Sequence, residues 1–581
     1  MLDLVLQQAG ESEPGFARKT VKWAITCTGD ARYTGIVQMG EGKGRPFDRC
    51  PHLSQPELVG GQEARAHYLV EALSTVALLF DDKAKDQDRE RIKKKHAWFV
   101  DLLHKSATDA PYLDAAARLL SDDDALSRIR EDLKQARGKP NELAVVIVDG
   151  INPLERHDWH AWWRSFRASI GRTQSGRARQ RMRCVVTGEC VEPAPTHPKV
   201  KGLAGVGGLG TGDVLAGFDK AAFQSYGLEQ SANAAMAEAT ATAYAETLNR
   251  LIETKSIKLG SALAVYWFTG QDTLSTEDDV LSWLTQPPEQ TAGAAERRAR
   301  ELLAAIHTGQ RPDLEGSRFV SLLLSGASGR VMVREVMQGS FEELAARTAD
   351  WFNHLAIVTR DGRGLAPDPK FLAVAGSLVR DLKELPSPWM QQLWRAAITG
   401  GRIPAAAHAR AVLRARLDVI ADQSASHARM GLIKAYHVRN LGDQDMQPYL
   451  NPDHPHPAYH CGRALALFAR LQRAALGDIG AGVVQRYYTA ATQTPGLILG
   501  RLASNAKNHL GKLDAGLAAW YEGQLADIMG RIRDAIPRTL SLEEQSLFAL
   551  GYYQQIAHFR AGSKGLPEGI ADDACNTDPS Q

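Results

Sequence analysis

Short β-branched or alternating apolar runs occur only in the first two thirds of the chain, whereas the last third repeats its apolar residues every three or four positions. Residues 20–40 (TVKWAITCTGDARYTGIVQMG) read as two short strands around Gly29-Asp30, a pair suited to a hairpin turn. From Gln62 to Phe80 the spacing of Ala66, Leu69, Val70, Leu73, Val76 and Leu79 is helical; a charged stretch from Asp81 to His96 interrupts it before AWFVDLL resumes the stripe. That stretch, with Lys93, Lys94 and Lys95, reads as a solvated helix face or surface loop, or alternatively as a phosphate-contacting loop. Helical spacing continues through 97–136, and LAVVIVDG (143–150) is a buried strand closed by a turn. Two further strand candidates, MRCVVTG (182–188) and LAVYWF (263–268), bracket a long Ala-rich helix from Ser231 to Thr254. RFVSLLL, the turn SGASG and RVMVREVM predict a hairpin at 318–337, followed by the helical SFEELAARTADWFNHL.

From Ser387 to about Gly562 the helical period holds without a convincing strand, and Gly, Pro or Asp break it into separate helices that suit a bundle. The predicted fold is α+β: an N-terminal mixed α/β region over 1–386, with candidate subdivisions near 150 and 300, a C-terminal all-α helical bundle over 387–562, and a tail at 563–581.

Composition narrows the function classes. With 581 residues, 44% hydrophobic and 23% charged, the chain is neither disordered nor fibrous, and a net charge of +2 gives no global reason to bind polyanions. Six cysteines form no disulfide framework, and neither a leader-like N-terminus nor a run of 18 apolar residues is present. The expectation is a cytoplasmic protein with no membrane contact.

Local charge is another matter. Arg164 to Lys201 holds nine basic residues against two acidic ones, +7 over 38 residues. Arg177, Arg179, Arg181 and Arg183 alternate, so on an extended segment they form a row of donors able to follow phosphates; Arg172, Lys199 and Lys201 extend the stripe. Trp159, Trp162, Trp163 and Phe166 just before it are core on a helix or, alternatively, base-stacking platforms. Next, Gly205, Gly207 and Gly210 satisfy G-x-G-x-x-G, but the preceding PAPTHPKVK is no central strand, so no dinucleotide site is expected and no cofactor is implied. What remains is a small-residue loop, Gly205, Gly207, Gly208, Gly210 and Thr211, followed by Lys220, Gln224, Tyr226, Gln230 and Asn233. Backbone glycine and amides suit the shallow, acceptor-rich minor groove of a duplex; the rival reading is a structural turn that braces the adjoining sheet.

Metal and nucleophile motifs are thin. Cys184, Cys190 and His197 lack a second cysteine pair, the cluster His454, His456, His460 and Cys461 reads as a loop or helix N-terminus, and no Ser-His-Asp elbow or nuclease signature stands out.

VTGE (186–189), HPKVKG (197–202), TGDVLAGFDKAAFQSYGLEQSANA (211–234) and VYWF (265–268) resemble the large-subunit family of the type I-C CRISPR surveillance complex, Cascade. MGLIKAY (430–436), AYHCGRALALFARLQ (458–472), QRYYTAATQTPGLILGRL (485–502) and SLEEQSLFALGYYQQ (541–555) are similar to that family's final helices. Asp219 departs from an asparagine in the family pattern, and Cys461 from an aliphatic residue. The resemblance implies a non-catalytic protein that joins backbone subunits on a CRISPR RNA, recognises the protospacer-adjacent motif in target double-stranded DNA, assists duplex opening and presents the complex to a helicase-nuclease. It also implies a small subunit from an internal start in the same gene, for which Met430 or Met446 is suited. The rivals are a nucleic-acid-processing enzyme with an unrecognised metal site and a purely structural scaffold.

Overall fold

The computed structural model describes residues 1–10, 12–59, 64–81, 85–174, 181–269, 276–288, 291–421, 426–477, 482–532 and 536–562, with the side chains of 171–174 and 276 left aside. The chain divides into two compact units, residues 1–256 with 324–334, and residues 257–323 with 335–581.

The first unit is built on a four-stranded sheet of order β3-β2-β6-β5, from β2 (Trp23–Cys27), β3 (Tyr33–Gln38), β5 (Glu71–Ala72) and β6 (Leu143–Val148). β2 and β3 form the hairpin expected around Gly29-Asp30, while β6 pairs parallel with β2, Trp23 opposite Ala144 through Cys27 opposite Val148. A separate ribbon joins β1 (Phe16–Val21) to β4 (Arg45–Pro51). Helices Asp86–Ser106, Tyr112–Ser121 and Asp123–Gln135 contribute apolar faces to the core of this unit, so the charged stretch before Ala97 lies largely on a helix, with Lys93 paired to Glu90 at 2.7 Å. The expected helix at 62–80 is replaced by β5 and a four-residue helix, Leu73–Val76. Leu69 and Leu78 sit at φ 59° and 52°, which no α-helix accommodates; the apolar spacing there records burial, not helical periodicity. Trp159 and Trp163 are fully buried, and their indole N–H groups donate to Pro153 O and Gly15 O at 2.8 and 2.7 Å, which makes them core.

In the second unit, β9 (Ser256–Leu259), β10 (Ala262–Thr269), β11 (Arg318–Ala327) and β12 (Arg330–Ser340) form a sheet of order β12-β11-β10-β9, the tip of the β11–β12 hairpin grouping with the first unit. Helix Phe341–Leu355 opens with a capping box between Ser340 and Glu343. Beyond residue 370 the described chain is all helical, and its longest elements, Pro457–Leu476 and Leu542–Ala561, approach so closely that a Cβ on Gly462 or Gly551 would strike the facing backbone. One continuous core runs from Leu323 and Trp351 through Phe371 and Trp394 to Tyr459 and Phe548.

Candidate nucleic-acid interface

Four segments of the first unit meet around residues 199–236. β7 (Met182–Arg183) pairs antiparallel with β8 (Cys190–Val191), a shorter hairpin than the strand expected over 182–188. It hangs on the chain before helix Glu238–Thr254: Val185 N donates to Ala235 O at 2.9 Å and Ala194 N to Met236 O at 2.8 Å. The α-helix therefore starts at Glu238, later than Ser231, because Gln230–Ala234 is a 3₁₀ turn. Val200 and Asp213 exchange two backbone hydrogen bonds of 2.8 Å, closing residues 200–213 into a loop with Lys199 and Lys201 exposed at its mouth.

The glycine loop packs on the β11–β12 tip. Val214 N donates to Gly329 O at 2.9 Å and Val331 N to Val214 O at 3.0 Å. Gly207, at φ 92°, lies where a Cβ would come within 2.7 Å of Gly326 O, and a Cβ on Gly326 would collide with the backbone of Gly208. Asp213, fully buried, accepts the Leu209 N–H with both carboxylate oxygens at 3.1 and 3.2 Å. Gly207 and Gly208 thus make close backbone packing, whereas a Cβ on the exposed Gly210 meets nothing; Gly205 and Thr211 are exposed as well.

Residues 219–230 behave differently. From Asp219 to Gly227 every residue is exposed. Arg330 ties the start of this loop to the hairpin tip, pairing with Asp219 at 3.6 Å and stacking over the Phe223 ring at 3.9 Å. Asp219 is thereby an internal ion-pair partner. The side chains of Lys220, Gln224, Tyr226 and Gln230 have no partner among the described residues and point to solvent. Asn233 is the opposite: its Oδ1 accepts from Ser225 N at 3.0 Å, and its Nδ2 donates to Leu228 O and Gln230 O, both at 3.0 Å. Its amide shapes the loop.

Of the basic stripe, Arg181 and Arg183 are exposed on either side of the half-buried Met182, as period-two geometry requires, and Arg181 donates to Cys190 O at 2.8 Å. Arg177 and Arg179 lie outside the described residues, and of Arg172 only the helical backbone is described. Arg164 and Arg167 are ion-paired internally, with Glu13 and with Glu57 and Glu238. The hairpin tip, with Gly326 and Arg330, was not assigned to the site from sequence; its SGASG turn, glycine-flanked and followed by arginine, is the signal that marks it.

The remaining candidates have structural employment. His197 is buried, its Nδ1 lies 3.0 Å from Tyr244 Oη, and desolvation pushes its pKa down to about 4. His456 caps helix Pro457–Leu476 through its Nδ1, His460 bonds His454 O at 2.6 Å, and burial pushes the Cys461 thiol up to about 12. Ser546 Oγ lies 2.6 Å from His437 Nε2, whose Nδ1 is 4.0 Å from Asp443, but Ser546 is fully buried and no substrate reaches it. Among the described residues no group of three His, Cys, Asp or Glu side chains could hold a metal ion, and no helix is long and apolar enough to cross a membrane.

The chain matches the family described as CRISPR-associated protein (Cas_Csd1) over residues 5–560. No curated protein matches it.

Proposed function

Because the chain belongs to the CRISPR-associated Csd1 family, the large-subunit family of type I-C Cascade, we propose that it reads the protospacer-adjacent motif of target double-stranded DNA and helps open the duplex beside it. The observation that carries this reading is the largely exposed loop from Asp219 to Gln230, which presents Lys220, Gln224, Tyr226 and Gln230 without partners among the described residues. Amides supply donors for the acceptors on a minor-groove floor, a lysine holds a flanking phosphate, and guide pairing reads the remaining sequence. Arg181, Arg183, Lys199 and Lys201, exposed on the neighbouring segments, supply the sequence-independent phosphate contacts. Arg172, Arg177 and Arg179, whose side chains lie outside the described residues, are assigned to the same role from sequence alone. The glycines support a division of labour: Gly207 and Gly208 fix the loop to the hairpin tip, and Gly205, Gly210 and Thr211 leave room for close approach of the duplex.

In this reading the chain assembles with backbone subunits on a CRISPR RNA and a small subunit equivalent to its own C-terminal helices, stabilises the displaced strand, and presents a surface to a helicase-nuclease. It binds and organises, and the recruited partner cuts. The test is selection of targets carrying a randomised duplex beside the guide-complementary sequence, with complexes assembled with and without this chain. A short motif enriched only in its presence supports the reading; equal enrichment, or none, overturns it.

A further inference from the structure

We propose that Tyr226 stacks its ring on a nucleobase of the target DNA and that Asn233 is the positioning residue that holds it out to do so; this rests on the duplex-reading role proposed above. Tyr226 is 98% exposed, against 45% for Tyr449, whereas Tyr68, Tyr244, Tyr459, Tyr488 and Tyr521 are among the most buried side chains. Its backbone is equally unusual, at φ 52° beside Gly227 at φ 72°. Ser225 and Leu228 bridge across them, Leu228 N donating to Ser225 O at 2.8 Å, so Tyr226 and Gly227 are the central pair of a tight turn with both φ positive. Such a turn ordinarily takes Asn-Gly or Asp-Gly, and a tyrosine in its first central position works against local preference. An outlier of this kind points to use.

The turn is also over-determined. Asn233 joins it from eight residues away, accepting from Ser225 N and donating to Leu228 O and Gln230 O. Both sides of the turn are therefore tied to one amide, which fixes the backbone from which the ring projects. The backbone that carries the aromatic has therefore lost its conformational freedom before a partner arrives. Every nucleobase offers a π-face, and stacking on it tolerates any sequence. The neighbours favour DNA over a protein partner: an aromatic that docks into protein sits within an apolar ring, but Gln224, Ser225, Glu229 and Gln230 are polar and Leu228 is half-buried. The same loop carries the exposed Lys220.

The experiment places 2-aminopurine at successive positions across the motif-proximal end of a target duplex, and measures its fluorescence and the affinity of the assembled complex carrying Tyr226→Ala, Tyr226→Phe, Asn233→Ala, Asn233→Asp or Lys220→Ala. Stacking predicts that Tyr226→Ala weakens binding about ten-fold and abolishes the fluorescence change at one position, while Tyr226→Phe retains both. Asn233→Ala is expected to reproduce the spectroscopic loss without altering assembly, and Asn233→Asp, which keeps the acceptor alone, to fall between. If Lys220→Ala weakens duplex binding but Tyr226→Ala leaves affinity and fluorescence unchanged, stacking is overturned and the duplex-reading role stands. If neither variant alters binding, both are overturned. Loss of assembly in Tyr226→Ala makes the ring a protein contact and overturns the proposal.

Discussion

A single methyl group separates two kinds of glycine in the candidate interface. At Gly326 it would strike the backbone of Gly208, whereas at Gly210 it meets nothing within van der Waals range. Gly326→Ala is therefore expected to destabilise the protein by about 1–3 kcal/mol, and Gly210→Ala to leave the melting temperature unchanged; thermal melts of the two variants side by side check this. Buried histidines make a second residue-scale statement. Desolvation pushes the pKa of His197, His408, His437 and His460 down to about 4, from 6.5 in an unfolded chain. Between those values the unfolded state holds protons that the folded state refuses, so stability falls as pH drops from 6.5 towards 4, by at most about 1.4 kcal/mol per pH unit for each histidine. His408 is the cleanest probe, because neither ring nitrogen has a hydrogen-bond partner and the ring stacks on Tyr436 at 3.7 Å. His408→Phe keeps the stack and is expected to flatten the denaturation-against-pH curve; an unchanged slope would contradict the assignment.

At the scale of elements, the phosphate track is tested by salt. Replacing Arg181, Arg183, Lys199 and Lys201 together with alanine is expected to reduce the slope of log K against log salt by about 0.7–0.9 for each phosphate no longer neutralised, with motif preference retained. Sequence made some of these elements legible and not others. The hairpin of β2 and β3, the buried β6, the β11–β12 hairpin and the helical C-terminal third all follow from period and turn residues, because there the local preference and the core agree. The stretch 62–80 was not legible, since residues buried from several directions mimic a helical stripe while Leu69 and Leu78 break it. Nor was the role of Asn233: an amide reads the same in sequence whether it faces DNA or, as here, three backbone groups across a turn. The basic residues of 164–201 divide likewise, Arg164 and Arg167 being held by carboxylates far away in sequence. The shared core also bears on internal starts. A fragment beginning at Met430 lacks helices Ser387–Thr399 and Ala405–Ile420, including the His408 ring that covers Tyr436, yet keeps the tight pair Pro457–Leu476 and Leu542–Ala561. It is expected to be helical by circular dichroism but to melt below a fragment beginning at Ser387; an unfolded spectrum for both would contradict an autonomous bundle.

For the whole molecule, a formal charge of +2 means that DNA is not drawn to the chain as a polyelectrolyte. The proposed recognition therefore rests on local segments, and the described residues bring Arg181, Arg183, Lys199, Lys201, Lys220 and Gln224 onto connected segments of one unit. The most direct measurement of the central claim is the affinity of the assembled complex carrying Lys220→Ala with Gln224→Ala, on a motif-bearing duplex and on the corresponding single-stranded target. Both side chains are exposed and without a partner among the described residues, so the substitutions are expected to leave folding intact. The account predicts duplex binding weakened by about ten-fold or more, as expected when one base-edge hydrogen bond and one phosphate ion pair are removed, with single-strand binding unchanged. Equal losses on both targets, or no loss on either, would contradict it.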